Sequence, residues 1–69
     1  MVTGVAMVKQ IPVWKLQTGD AVYLKGARMT ITNLNDEITG VTMSLIDNSG
    51  RGHWENFGHD DIIPLDISD

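Results

Sequence analysis

Two histidines and three carboxylates fall within nine residues, His53-Trp54-Glu55-Asn56-Phe57-Gly58-His59-Asp60-Asp61. Imidazole nitrogens and carboxylate oxygens are donors that zinc and other divalent ions accept. On a strand, His53 and Glu55 share a face because side chains alternate, and His59 and Asp61 beyond a bend would complete a ligand set. The spacing matches no established metal motif. In H-E-x-x-H the Glu follows the His directly on a helix, whereas Glu55 stands two positions after His53 on an expected strand. The sequence therefore assigns no metal and no cofactor. His53, Glu55, His59 and Asp61 stay as candidate ligands, against the plainer reading of exposed histidines on a polar strand and turn.

Catalysis finds no stronger footing. Asp60-Asp61 reads as a turn leading into Ile62, with the Asp60 side chain bonding nearby backbone N–H groups. Ser44, Ser49 and Ser68 fall on a strand face, in a turn and in the tail, so no Ser-His-Asp set is indicated. G-x-S-x-G, the P-loop and G-x-G-x-x-G are absent from the sequence. With no Cys, a thiolate nucleophile, a thiolate zinc site and a disulfide scaffold are excluded. No catalytic residue is assigned, and a non-enzyme is expected.

A second constellation is built from aromatic and basic residues: Trp14, Lys15, Tyr23, Lys25 and Arg28. Such a patch stacks bases of single-stranded nucleic acid or engages an acidic protein surface, and Trp, Tyr and Arg dominate interface hot spots. The plainer reading has Trp14 capping an open end of the core with Tyr23 packed on it.

Charge divides the chain. Up to residue 28, Lys9, Lys15, Lys25 and Arg28 stand against Asp20. From residue 29 onward, Arg51 alone faces Asp36, Glu37, Asp47, Glu55, Asp60, Asp61, Asp66 and Asp69, and the whole chain carries −4 with a pI near 4.8. That balance argues against a basic nucleic-acid binder. Asp36, Glu37, Asp60 and Asp61 form a candidate acidic face for a basic partner, or simply a solvated surface.

These residues need a scaffold. At 69 residues and 7.6 kDa the chain is one domain, and 42% hydrophobic residues with 20% charged is a globular balance. Strands are expected over Ala21–Leu24, Met29–Leu34, Val41–Ile46, Arg51–Phe57 and Ile62–Leu65, separated by turns at Gln17-Thr18-Gly19-Asp20, Gly26 and Asp47-Asn48-Ser49-Gly50. Pro12 suits a strand edge or an extended lead-in over Lys9–Leu16. Ile31 and Leu34 fall on opposite faces unless a bulge intervenes. A single helical turn near residues 58–62 is compatible with the pattern. The expected core is Leu16, Val22, Leu24, Ile31, Leu34, Val41, Met43, Leu45, Trp54, Phe57 and Ile62. The expected division is a frayed lead-in over 1–10, one β-barrel domain over 11–66 and an acidic tail over 67–69. The fold class is all-β: a small, five-stranded, strongly bent antiparallel barrel.

The run Leu16-Gln17-Thr18-Gly19-Asp20-Ala21-Val22-Tyr23-Leu24-Lys25-Gly26 resembles the L-x-x-G-D-x-V-x-L-x-G opening of SH3-like small barrels, found in KOW-type translation and transcription modules and in many small bacteriophage proteins. The resemblance implies that Gly-Asp turns into the first strand, the alternating apolar pair enters the core and the later Gly makes the hairpin. The chain departs from KOW proteins after Gly26, where Met29-Thr30-Ile31-Thr32 replaces further glycines and basic residues. The resemblance extends to small phage-encoded accessory proteins.

Three functions follow, in this order. The first is a protein-interaction module with a protein partner, serving as a host-directed accessory protein or a small assembly subunit, with homo-oligomerisation compatible. The second is a nucleic-acid binder through the Trp14/Tyr23 patch, which net charge disfavours. The third is a metal site at His53–Asp61. No apolar run is long enough to span a membrane and no secretion signal is visible, so a cytoplasmic protein is expected.

Overall fold

In a computed structural model that describes residues 7–67, six antiparallel strands form one sheet in the order β1-β6-β2-β3-β4-β5. The strands are β1 Val8–Pro12, β2 Ala21–Leu24, β3 Ala27–Glu37, β4 Gly40–Asp47, β5 Gly52–Phe57 and β6 Ile62–Asp66. A 3-10 turn, Val13–Lys15, follows β1. Strands β2 to β5 form a meander. Strand β6 then returns across the fold and lies between β1 and β2, with Ile11 opposite Ile63 and Val22 opposite Leu65. The all-β, antiparallel, strongly curled architecture agrees with the sequence pattern. The sheet is curled but not closed, since β1 and β5 form no ladder. Among the described residues no helix is long and apolar enough to cross a membrane.

The sixth strand is β1. The expected lead-in over 1–10 overlaps it, because the chain is already paired at Val8 opposite Asp66. Ile11 supplies the reason: it is buried and packs in the core with Ile63. Residues 1–6 and the last two residues of the expected tail lie outside the described residues.

The opening turn works as the barrel resemblance implies. The Asp20 carboxylate accepts the Gln17 N–H at 2.9 Å. The Gly19 N–H donates to the Ile31 carbonyl at 2.8 Å, and the Ile31 N–H donates to the Asp20 carbonyl at 2.9 Å. Val22 then enters the core at 0% exposure with Leu24 half-buried beside it. The β2–β3 hairpin turns on Lys25 and Gly26, both at positive φ (54° and 78°). Two such residues make the tight primed turn whose twist matches its strands.

The core is one cluster: Ile11, Val13, Leu16, Val22, Met29, Ile31, Val41, Met43, Leu45 and Ile63, with Leu24, Ala27, Leu34, Phe57 and Leu65 against it. Two expected core residues are not in it. Trp54 is 63% exposed, because β5 presents His53, Glu55 and Phe57 inward and Trp54 pairs with outward-facing Ser44. Phe57 and Trp54 are three apart on an unbulged strand, so only one can face in. Ile62 is 61% exposed and Ile63 takes its place, since Ile63 and Leu65 share the face that meets Ile11 and Val22.

Candidate functional site

The 3-10 turn brings Trp14 to the surface. Its apolar predecessor, Val13, is 1% exposed and anchors the turn in the core, and the Val13 N–H donates to the Asp61 carbonyl at 2.8 Å. Trp14 itself is 56% exposed. It lies on a cleft of about 110 Å³ with Val13, Leu16, Leu34, Asp36 and Val41. Lys15 places its Nζ 5.3 Å from the centroid of the Trp14 ring, within cation–π range. The site is thus an apolar floor from three elements, one exposed indole, one ammonium and one carboxylate. It is smaller than the several hundred Å³ typical of small-molecule pockets, and suits a single inserted side chain.

The acidic end of the fold adjoins this cleft. Asp36 is the penultimate residue of β3, and its Oδ1 accepts the His59 Nε2 proton at 2.7 Å, linking β3 to the β5–β6 turn. Asp61, not Asp60, braces that turn: its Oδ2 accepts the Gly58 N–H at 2.8 Å. The expected helical turn near 58–62 is a hydrogen-bonded turn, Asp61 N–H to Gly58 carbonyl at 3.0 Å. Asp36, Glu37, Asp60 and Asp61 are therefore drawn to one end of the molecule by two loops. Gly40 makes the approach feasible. A Cβ there would collide with the Phe57 carbonyl oxygen, so only glycine lets β4 begin this close to the end of β5.

The basic-aromatic set is not one patch. Trp14 and Lys15 sit on the 3-10 turn. Tyr23 and Arg28 face each other across β2 and β3, and both bond the same oxygen, Asp66 Oδ2, at 3.3 and 2.7 Å. The Asp66 side chain is 4% exposed and that of Arg28 44%. The hydrogen bond to Asp66 raises the Arg28 pKa further above its already high value. Lys25 reaches across to Glu55 at 2.7 Å. Tyr23, Lys25 and Arg28 thus each meet a carboxylate of this chain, Asp66 or Glu55, while Trp14 and Lys15 stack on each other at the 3-10 turn.

Nor do the four candidate metal ligands converge. His53 Nε2 donates to Asp47 Oδ2 at 2.8 Å, Glu55 holds Lys25, His59 holds Asp36 and Asp61 holds its own turn. Among the described residues no group of three or more His, Cys, Asp or Glu side chains is arranged to hold a metal ion. Asp47 explains the His53 geometry: its Oδ1 also accepts the Ser49 hydroxyl (2.7 Å), the Ser49 N–H (2.9 Å) and the Arg51 N–H (3.0 Å). Those bonds hold the Asp47 carboxyl well below the usual range, the Ser49 hydroxyl contributing most, then His53, then the Arg51 amide.

Sequence reasoning missed the cleft because its floor joins positions 13–16, 34 and 41, which no local period connects. The available signal was Val13-Trp14-Lys15 after Pro12, an apolar anchor beside an aromatic next to a strand end.

No family model matches the chain, and no curated protein matches it. Among solved structures, it is similar to a translation initiation factor eIF-5A family protein from Naegleria fowleri ATCC 30863, with a TM-score of 0.67 and 15% sequence identity. The match covers 86% of this chain and 46% of that chain. At this identity the likeness shows the fold alone: a small curled β domain.

Proposed function

We propose that this chain is a non-enzymatic binding module that takes a protein partner at the Trp14 cleft. One observation carries the reading: a tryptophan held 56% exposed by a turn whose preceding residue is buried, over an apolar floor of Val13, Leu16, Leu34 and Val41. A free-standing core has no use for an indole so placed, whereas interface anchors are enriched in Trp. The partner's inserted group is apolar, and a basic neighbour beside it would meet Asp36, Glu37 and Asp60 at the acidic end.

The fold likeness to a protein titled a translation initiation factor keeps a nucleic-acid ligand as the second reading, with bases stacking on Trp14 beside Lys15. Two facts weigh against it. Lys25 and Arg28 are already paired with Glu55 and Asp66, and the net charge is −4. A phage-encoded, host-directed role or a place as a small assembly subunit, in the cytoplasm, is the setting we infer from the small size and the barrel resemblance.

The test is affinity capture from the source or host lysate with wild type and Trp14→Ala, each with and without nuclease. One dominant protein that survives nuclease and is lost with Trp14→Ala is expected. Recovery that vanishes with nuclease would replace this reading with the nucleic-acid one.

A further inference from the structure

The two outer strands of the sheet are guarded differently. Strand β1 carries Lys9 and Pro12, the residues that commonly keep an edge from pairing with another chain. Strand β5, Gly52-His53-Trp54-Glu55-Asn56-Phe57, has no Pro, no Lys and no bulge against β4. Its outer face shows Trp54 at 63% exposure.

The hydrogen-bond phase of β5 follows from its hairpin. The Asp47 N–H donates to the Arg51 carbonyl at 3.0 Å, so Asp47 and Arg51 are a hydrogen-bonded pair. In an antiparallel ladder such pairs alternate with non-bonded ones. Given the register Leu45↔His53, Met43↔Glu55 and Val41↔Phe57, those three residues of β5 spend their backbone groups on β4. Gly52, Trp54 and Asn56 then point their N–H and C=O groups away from β4, along the open edge.

We infer that this edge pairs with the β5 edge of a second copy, antiparallel and centred on Trp54. Only that two-fold register engages all three outward residues: Trp54 meets Trp54 of the second copy, and Gly52 meets Asn56. The neighbouring inward residues then fall into place, with His53 of each copy opposite Glu55 of the other. Within each copy Glu55 is bound to Lys25 at 2.7 Å and His53 to Asp47 at 2.8 Å. The pairing therefore joins them into an alternating series, Lys25, Glu55, His53, Asp47, running across the interface twice. No like charges are set opposite one another. A two-fold contact of this kind closes on itself, so it yields a dimer and not a fibre. The two indoles lie side by side on the outer face, the arrangement in which cross-strand aromatic pairs stabilise sheets. The contact is short, so the dimer is weak and depends on concentration.

The test reads molar mass by sedimentation or light scattering over a concentration series. The wild type is expected to rise toward twice the monomer mass. Trp54→Glu and Trp54→Lys each place like charges at the centre of the pair and are expected to stay monomeric, while their equimolar mixture recovers the two-fold mass. Asn56→Pro removes an outward N–H, leaves the backbone bonds to β4 and loses one side-chain bond, the Thr42 hydroxyl to Asn56 Oδ1; it is expected to weaken the dimer, with Asn56→Ala as the control for the lost side-chain bond. Position 54 is exposed, so these variants keep the fold, which circular dichroism checks. A wild type that stays monomeric throughout, a mixture that fails to recover, or a dimer that both Trp54 variants retain would overturn the proposal. Trp14→Ala leaves this edge intact, so failure of the cleft reading and failure of this one are read separately.

Discussion

Ile31 and Leu34 stand three residues apart on β3 and both face the core, Ile31 opposite Leu45 and Leu34 opposite Met43. An unbroken strand would send one of them outward. The register shifts between Ile31 and Asn33, leaving Thr32 as the extra residue of a bulge, with its hydroxyl donating to the Ser44 carbonyl at 3.2 Å. The bulge is what lets the second half of β3 reach the Trp14 cleft, since Leu34 and Asp36 line it.

Deleting Thr32 is therefore predicted to be tolerated better than its mid-strand position suggests. With Thr32 gone, Ile31 and Leu34 stand two apart, share one face without a bulge and keep Leu45 and Met43 opposite them. What is lost is the extra bend and twist that a bulge gives its strand, so the change falls on the Trp14 cleft, which Leu34 and Asp36 line. Thr32→Ala keeps the bulge and costs at most about 1 kcal/mol. Chemical denaturation of both variants checks this, and a deletion variant that fails to fold would show that the bend itself is indispensable.

Gly40→Ala is predicted to be destabilising despite the small change. The new Cβ meets the Phe57 backbone carbonyl, which cannot rotate away as a side chain would. Forced overpacking of this kind costs roughly 1–3 kcal/mol, and in so small a domain each kcal/mol moves Tm by about 4–8 °C. A melting curve within a few degrees of wild type would show that β4 and β5 separate freely at that end.

Asp47 sets an acid dependence. Its carboxyl is held below the usual range by Ser49, His53 and the Arg51 amide. A lowered folded-state pKa gives stability that is present above the ordinary carboxylate value and is lost as pH falls through the lowered one. Asp47→Asn is predicted to lower Tm at neutral pH and to flatten its decline in acid. Melting curves from neutral to strongly acidic buffer check both parts, and parallel curves for the two proteins would disprove the linkage.

Trp14→Ala is predicted to separate binding from folding. The side chain is mostly exposed while Val13 holds the turn, so Tm changes little. Partner binding falls by more than about 2 kcal/mol, roughly 30-fold, if Trp14 is the anchor. Titration calorimetry against the captured partner measures it.

Lys25 and Glu55 are predicted to couple weakly. The pair joins a hairpin to the far edge strand, but Lys25 is 71% exposed, and exposed ion pairs are worth about 0–1 kcal/mol. A double-mutant cycle with Lys25→Asn and Glu55→Gln measures the coupling. Asn also suits the positive φ at that turn, so Lys25→Asn alone is predicted to be close to neutral.

Much of this was legible in residue order. Alternation in Val41-Thr42-Met43-Ser44-Leu45 marked β4, the Gly-Asp opening marked the entry to β2, and the mismatch of Ile31 with Leu34 announced the bulge. The failures share a cause. Size and apolarity point Trp54 and Ile62 inward, but the faces of β5 and β6 are fixed by Phe57 and by Ile63 with Leu65. Strand β1 is hidden by Pro12 and by distance, because its pairing partner lies fifty residues or more away in Ile62–Asp66. The candidate ligands sit close in sequence, but each answers to a different neighbour in space.

The pairing of β1 with β6 sets how this domain meets a pulling force. The Ile67 N–H donates to the Met7 carbonyl at 2.9 Å, so the first and last described residues stand side by side. Tension applied through these two ends would load the β1–β6 rungs one after another, as in a zipper, and never all at once in shear. A domain strung between two anchors at these points would open at low force, peeling β1 away before the meander feels any strain.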